Sequence, residues 1–198
     1  MDQGGQAAVN TVVSDEVFAR FRAGEVDAFS EVVRMATPRL IAFLRLMVGS
    51  RESAEEGAQD ALVLLFRERE KIVSADKIMP WLFITAKRLA IRETGRKRHR
   101  MEYAVDHTVL EDLAGSLDPA QPDHIFLHEL SLKLGRALDT LKAEERELIV
   151  LRFFSGLQVK EVSEVMGMPM GSVGVKTTRT LEKLRRVMIR LGVNEKDL

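Results

Sequence analysis

The sequence predicts an all-α protein: two small helical domains joined by a flexible acidic linker, the C-terminal one a helix-turn-helix. Three observations lead there. Apolar residues recur at helical spacing almost throughout, while strand-like alternation is scarce and no Asn-Gly or Asp-Gly hairpin turn occurs. Residues 101–123, with Gly115, Pro119 and Pro122, read as a linker. Beyond them, a short helix, a Gly/Pro turn and a longer basic helix follow one another.

The elements justify this division in order. The Gly- and Gln-rich first ten residues read as a frayed tail. Ser14 before Asp15 and Glu16 predicts an N-cap and an acidic first turn, with the helix running to Ala23 and stopping at Gly24. A second helix is expected from Asp27. Thr37-Pro38 predicts a restart, with proline at the first helical position and Gly49 closing the element. Ser53 opens the next, to about Arg69; Lys71–Met79 reads as turn-like; Pro80 sits in the first turn of a long helix reaching Gly95. After the linker, helices are expected over His124–Leu141, Ala143–Phe154, Val159–Met166 and Ser172–Leu191. The expected domains are therefore 14–100 and 124–192. Phe18, Phe21, Phe29, Phe43, Phe66, Phe153 and Phe154 are expected in the cores. No internal repeat or long low-complexity tract is visible.

Composition narrows the function. The 198 residues are 45% hydrophobic and 30% charged, which suits soluble domains. The absence of cysteine excludes disulfides and thiolate metal sites. No apolar run approaches the roughly 20 residues that span a bilayer, and Met1–Asn10 lacks the pattern of a signal peptide, so a cytoplasmic protein without membrane insertion is expected. His124 and His128 have an i, i+4 spacing that can ligate zinc, yet no third ligand is evident, so no metal and no cofactor is expected. His99 and His107 read as surface residues. No phosphate loop, Ser-His-Asp order or carboxylate pair stands out, so no enzyme is expected.

Net charge is zero, but its distribution is uneven. Lys87–Arg100 carries seven Lys/Arg against Glu93; residues 101–123 carry six acids and no Lys/Arg; Lys176–Arg190 carries six Lys/Arg against Glu182. Fields are screened within about 10 Å in moderate salt, so local blocks decide phosphate contact. On the last long helix, Val173, Thr177, Leu181, Leu184, Met188 and Leu191 share one face, and Lys176, Arg179, Lys183, Arg186 and Arg190 another. One side can seal a core while the other meets DNA.

Gly156-Leu157-Gln158-Val159-Lys160-Glu161-Val162-Ser163-Glu164-Val165-Met166-Gly167-Met168-Pro169-Met170-Gly171-Ser172-Val173 resembles region 4 of extracytoplasmic-function sigma factors, the compact group of the bacterial sigma-70 family. Ala54-Glu55-Glu56-Gly57-Ala58-Gln59-Asp60-Ala61-Leu62 and Trp81-Leu82-Phe83-Ile84-Thr85-Ala86-Lys87-Arg88 resemble that family's region 2, in the family's order. The resemblance implies an RNA polymerase sigma factor, with core polymerase and promoter DNA as partners and an anti-sigma factor or other regulator acting in trans. It implies a −35 element read from the last long helix, by Ser172, Gly174, Val175, Lys176, Thr178, Arg179, Lys183 and Arg186. It implies a −10 element held by Ile72, Trp81, Thr85, Arg88, Arg92, Arg96, Lys97 and Arg98. Glu55, Glu56, Gln59 and Asp60 would dock on the polymerase clamp. Trp81, Thr85, Arg88 and Arg92 recur at spacings of four, three and four and so form one stripe, suited to stacking on a displaced strand, while Trp81 fits a core role equally.

Departures from the pattern stand at Gly174, often basic in the family; at Val175, often Ser; at Ile72, usually aromatic; and at Arg88, usually Asn. They leave two alternatives open: a sigma mimic that binds an anti-sigma factor without promoter activity, and a helix-turn-helix regulator. The latter needs a dimer interface; no heptad supplies one, so a monomer is expected when free.

Overall fold

The computed structural model describes residues 13–48, 50–97, 109–110 and 124–194, apart from the side chains of 48, 90–97, 124, 125 and 127. Helices and turns make up the regular structure, with no strand among the described residues. Helix α1 (Asp15–Arg22) starts as expected: the Ser14 hydroxyl accepts the Val17 N–H at 3.2 Å. Gly24, at φ +89°, then takes a left-handed conformation that side chains resist.

The predicted break at Thr37-Pro38 is absent. Helix α2 (Val26–Val48) passes through Pro38 without interruption. An interior proline forfeits a backbone bond and costs about 3 kcal/mol. The Thr37 hydroxyl donates to the Val33 carbonyl at 2.7 Å, satisfying one acceptor close to the lesion. Ala28, Val32, Ala36, Leu40 and Phe43 form a stripe across the proline, and each is fully buried. Burying one large apolar side chain contributes about 1.5–3 kcal/mol, so this stripe outweighs the proline.

Helix α3 (Arg51–Arg67) lies against α2, and Gly57 explains how closely. A Cβ at Gly57 would sit 3.3 Å from Leu44 Cδ1, so glycine lets the two helices approach. Two short 3₁₀ turns, Arg69–Lys71 and Ala75–Lys77, carry the chain into α4 (Ile78–Lys97), which has Pro80 in its first turn. Phe43 of α2 meets Phe83 of α4 edge-to-face with centroids 5.1 Å apart.

The C-terminal module comprises α5 (His124–Asp139), α6 (Ala143–Ile149), α7 (Val159–Met166) and α8 (Met170–Arg190). A π-helical turn, Val150–Phe154, extends α6. It buries Val150 and Leu151 and turns Phe153 outward to 53% exposure, against the expected core position. Phe153 instead lies beneath the Arg152 guanidinium, 5.8 Å from the ring centre.

The modules touch. Helix α7 packs on α4, and the π turn packs on α2, so one continuous apolar cluster runs through both modules. Val109 and Leu110, the described residues of the acidic linker, are 3% exposed and belong to that cluster. The rest of the linker lies outside the described residues.

Candidate nucleic-acid interface

Helix α7 is stopped by Gly167 at φ +65°, and three residues later α8 begins. The Gln158 N–H donates to the Glu161 carboxylate at 2.7 Å, and the Ser163 hydroxyl donates to the Met168 carbonyl at 2.6 Å. These bonds fix both ends of the short helix. The sharp turn therefore sets the direction of α8.

On α8 the buried seam is Val173, Thr180, Leu184 and Met188, with Thr177 and Leu191 half-buried. Leu181, expected in that seam, is 41% exposed, and Thr180 replaces it. At 100° per residue Thr180 and Leu181 lie about 40° and about 60° to either side of Leu184, so periodicity alone barely separates them. Packing geometry chose the hydroxyl over the larger apolar side chain.

The outer face carries Gly174, Val175, Lys176, Thr178, Arg179 and Arg186, all exposed, beside half-buried Ser172. Arg179 and Arg186 have no ionic partner among the described residues. Lys176 bonds Glu144, and Lys183, half-buried, donates to Glu145 at 2.7 Å, so these two cations hold α8 to α6. The Lys183 hydrogen bond holds the Glu145 carboxyl below its ordinary value of 4.5. A Cβ at Gly171 or Gly174 would meet nothing within 4 Å. The backbone of the first two turns is thus open to close approach, and its N–H groups favour anions.

In the N-terminal module Arg88 is exposed on α4, while Trp81 and Thr85 are half-buried, Trp81 packing against the apolar cluster. Arg92, Arg96 and Lys97 continue α4, and Arg98 lies outside the described residues. Ile72, expected to face a displaced strand, is only 3% exposed and belongs to the core. The extended link between the two 3₁₀ turns points alternate residues to opposite sides, and Val73 takes the outward place at 74% exposure. On α3, Glu56, Gln59 and Asp60 are exposed, with Val63 extending their face; Glu55 is half-buried and bonds Arg51 at 2.8 Å. Among the described residues no cluster of His, Asp and Glu could hold a metal ion, and no helix is long and apolar enough to cross a membrane.

A set of residues that periodicity did not mark joins the modules. Arg39 Nε donates to the Ser155 carbonyl at 2.6 Å, Lys87 to Glu147 at 2.7 Å and Lys160 to Asp76 at 3.0 Å; Lys77 pairs with Glu164. Burial lowers the Arg39 pKa. Hydrogen bonds from Ser74 and then Lys160 hold the Asp76 carboxyl below 3.8. A signal did exist for Glu147: a carboxylate entering the apolar run Leu148–Leu151 has to find a partner once folded.

Comparison with known families decides what these surfaces belong to. The model for sigma-70 region 2 matches residues 32–100, and that for sigma-70 region 4 matches 131–184. Together they cover more than half of the chain. The chain belongs to the sigma-70 family. The RNA polymerase sigma factor CarQ of Myxococcus xanthus is 28% identical over 85% of this chain and 94% of its own length. The extracytoplasmic-function RNA polymerase sigma factor RpoE of Cereibacter sphaeroides is 27% identical over 81% of this chain and 86% of its own. Among solved structures, Bartonella quintana RpoE, crystallised with the anti-sigma factor NepR, shares the fold with a TM-score of 0.58, at 22% identity over 82% of this chain and 98% of that one. This sigma factor is thus of the extracytoplasmic-function type, a factor that directs RNA polymerase to promoters.

Proposed function

We propose that this sigma factor reads the −35 element with the outer face of α8 and holds the −10 element on α4 and the link before it. The observation that carries this reading is the division of α8. One face is sealed against its module, while the other presents Arg179 and Arg186, without ionic partners among the described residues, beside two glycines with open space around them. Arg179 can bond guanine bidentately; Ser172, Gly174, Val175 and Thr178 lie at its N-terminal side, close enough to the backbone for base edges; Lys176, Lys183 and Arg186 flank them for phosphates.

On α4, Arg88 with Arg92, Arg96, Lys97 and Arg98 neutralises phosphates, and Trp81 with Thr85 meets an unstacked base. Val73, not Ile72, takes the contact from the preceding link. Glu55, Glu56, Gln59 and Asp60 dock on core polymerase. The working units are residues 14–100 and 124–192, with 101–123 as the tether. The protein acts without chemistry of its own, in the cytoplasm where polymerase is, under control of a regulator in trans such as an anti-sigma factor.

The test is transcription with core polymerase on genomic DNA. Addition of this chain should yield new transcripts, and Arg179→Ala should shift or abolish them. A chain that captures an anti-sigma protein, yet supports no transcript with any core enzyme, would be the mimic instead.

A further inference from the structure

We propose that Val175 reads the 5-methyl group of a thymine in the −35 element, within about two base pairs of the base that Arg179 contacts. The inference rests on the placement of the −35 element on α8 given above and adds to it the identity of one base. Its first support is direction. At 100° per residue, Val175 lies about 180° from the middle of the buried seam of Val173, Thr180, Leu184 and Met188. With that seam held against its module, Val175 points straight away from it, at 52% exposure.

The second support is the surroundings. Residues three and four apart are neighbours on a helix surface, which makes Gly171, Ser172, Thr178 and Arg179 the neighbours of Val175. Gly171 has no side chain, and a Cβ there would meet nothing within 4 Å. Ser172 is short and half-buried. The Thr178 hydroxyl donates to the Gly174 carbonyl at 3.2 Å, so its proton is engaged within the helix. Gly174 leaves the backbone beside the valine bare. Only Arg179 is longer, and it too is exposed.

An isolated surface valine needs no explanation. Here the valine stands in the middle of the face assigned to base edges, and that turns its chemistry into a preference. Val175 can neither donate nor accept. A donor or acceptor set against it loses water without gaining a partner. The major-groove edges of adenine, guanine and cytosine are marked by donors and acceptors, whereas thymine adds a methyl group. Thymine is therefore the base whose edge Val175 complements. Spacing places it relative to a second contact. Arg179 lies four residues on, about 6 Å along the axis at 1.5 Å per residue, and base steps are about 3.4 Å, so the two contacts fall one or two base pairs apart.

The test is selection of promoters by core polymerase carrying the full chain, from a DNA library randomised across the −35 region, followed by binding measurements on the enriched duplex. Thymine should be enriched within about two base pairs of the position whose base choice Arg179→Ala relaxes. Replacing that thymine with uracil removes the methyl group and leaves every hydrogen-bonding group in place. The replacement should weaken binding about fourfold, as expected for one buried methyl-sized group. Val175→Ala, which withdraws both γ-methyl groups, should bind the two duplexes equally. Its denaturation midpoint should match the parent's or exceed it, since the side chain is exposed. Absence of an enriched thymine at that distance would overturn the proposal, and so would a uracil penalty that is missing or that persists in Val175→Ala. If Arg179→Ala relaxes no position of the −35 element, the placement of α8 on that element fails, and the role of Val175 fails with it.

Discussion

The two modules solve the same packing problem with different means. The N-terminal one buries Phe21, Phe43 and Phe83 completely and is thick enough to tolerate a proline within α2. The C-terminal one has no fully buried aromatic among the described residues; leucines such as Leu138, Leu148, Leu151 and Leu157 are its largest fully buried side chains. Its last helix is buried on one side only. The glycines make the contrast concrete. Gly57 is there because Leu44 comes too near for a larger residue to be free of contact, whereas Gly171 and Gly174 have open space. Each interior glycine costs a helix about 1 kcal/mol relative to alanine. In α3 that cost is offset inside the protein; in α8 nothing among the described residues offsets it, in keeping with the DNA-facing role proposed for that helix.

Substitutions can break this contrast. The largest effect is expected at the aromatic pair: Phe83→Ala should destabilise the protein by about 3–5 kcal/mol, through lost burial and a cavity against Phe43. Chemical denaturation measures it. A value near zero would mean that the N-terminal module is not the stable one. Next comes Arg179→Ala, which should leave the denaturation midpoint unchanged and weaken discrimination between promoters by about 1–3 kcal/mol in competition transcription assays.

The glycines offer a finer test. Gly174→Ala should raise stability by about 1 kcal/mol, since its new methyl meets nothing. Gly57→Ala should gain less, because its methyl would press Leu44 Cδ1 at 3.3 Å. Equal gains would erase the distinction drawn between the two helices. The smallest effect concerns acid. Glu145 has its pKa lowered by Lys183, so its contribution is complete above the ordinary value of 4.5 and is lost as pH falls through the folded-state value. A denaturation series in acid should show this decline, and Glu145→Gln should remove that part of it.

Much of the molecule was legible in the residues. Ser14 announced α1, and the α7–turn–α8 pattern followed from Gly167, Pro169 and the apolar spacing. The family resemblance of both halves agrees with the matches to sigma-70 regions 2 and 4. The misreadings share a cause: they sit where a local preference competes with packing against a third element. Pro38 is a strong local stop signal, overridden by a buried stripe. Leu181 is more apolar than Thr180, yet packing within the module turned Thr180 inward. Ile72 and Val73 are chemically alike, and only the turns on either side decide which is buried.

Helical periodicity, capping residues and blocks of charge are properties of neighbours in the chain, so composition and spacing alone determined the fold class, most helix boundaries and the basic faces. Which acids meet which bases across the two halves was decided only by the tertiary structure. Lys87 and Glu147 are separated by 60 residues, and their pairing depends on how two apolar surfaces fit, a matter of shape that no spacing along the chain encodes.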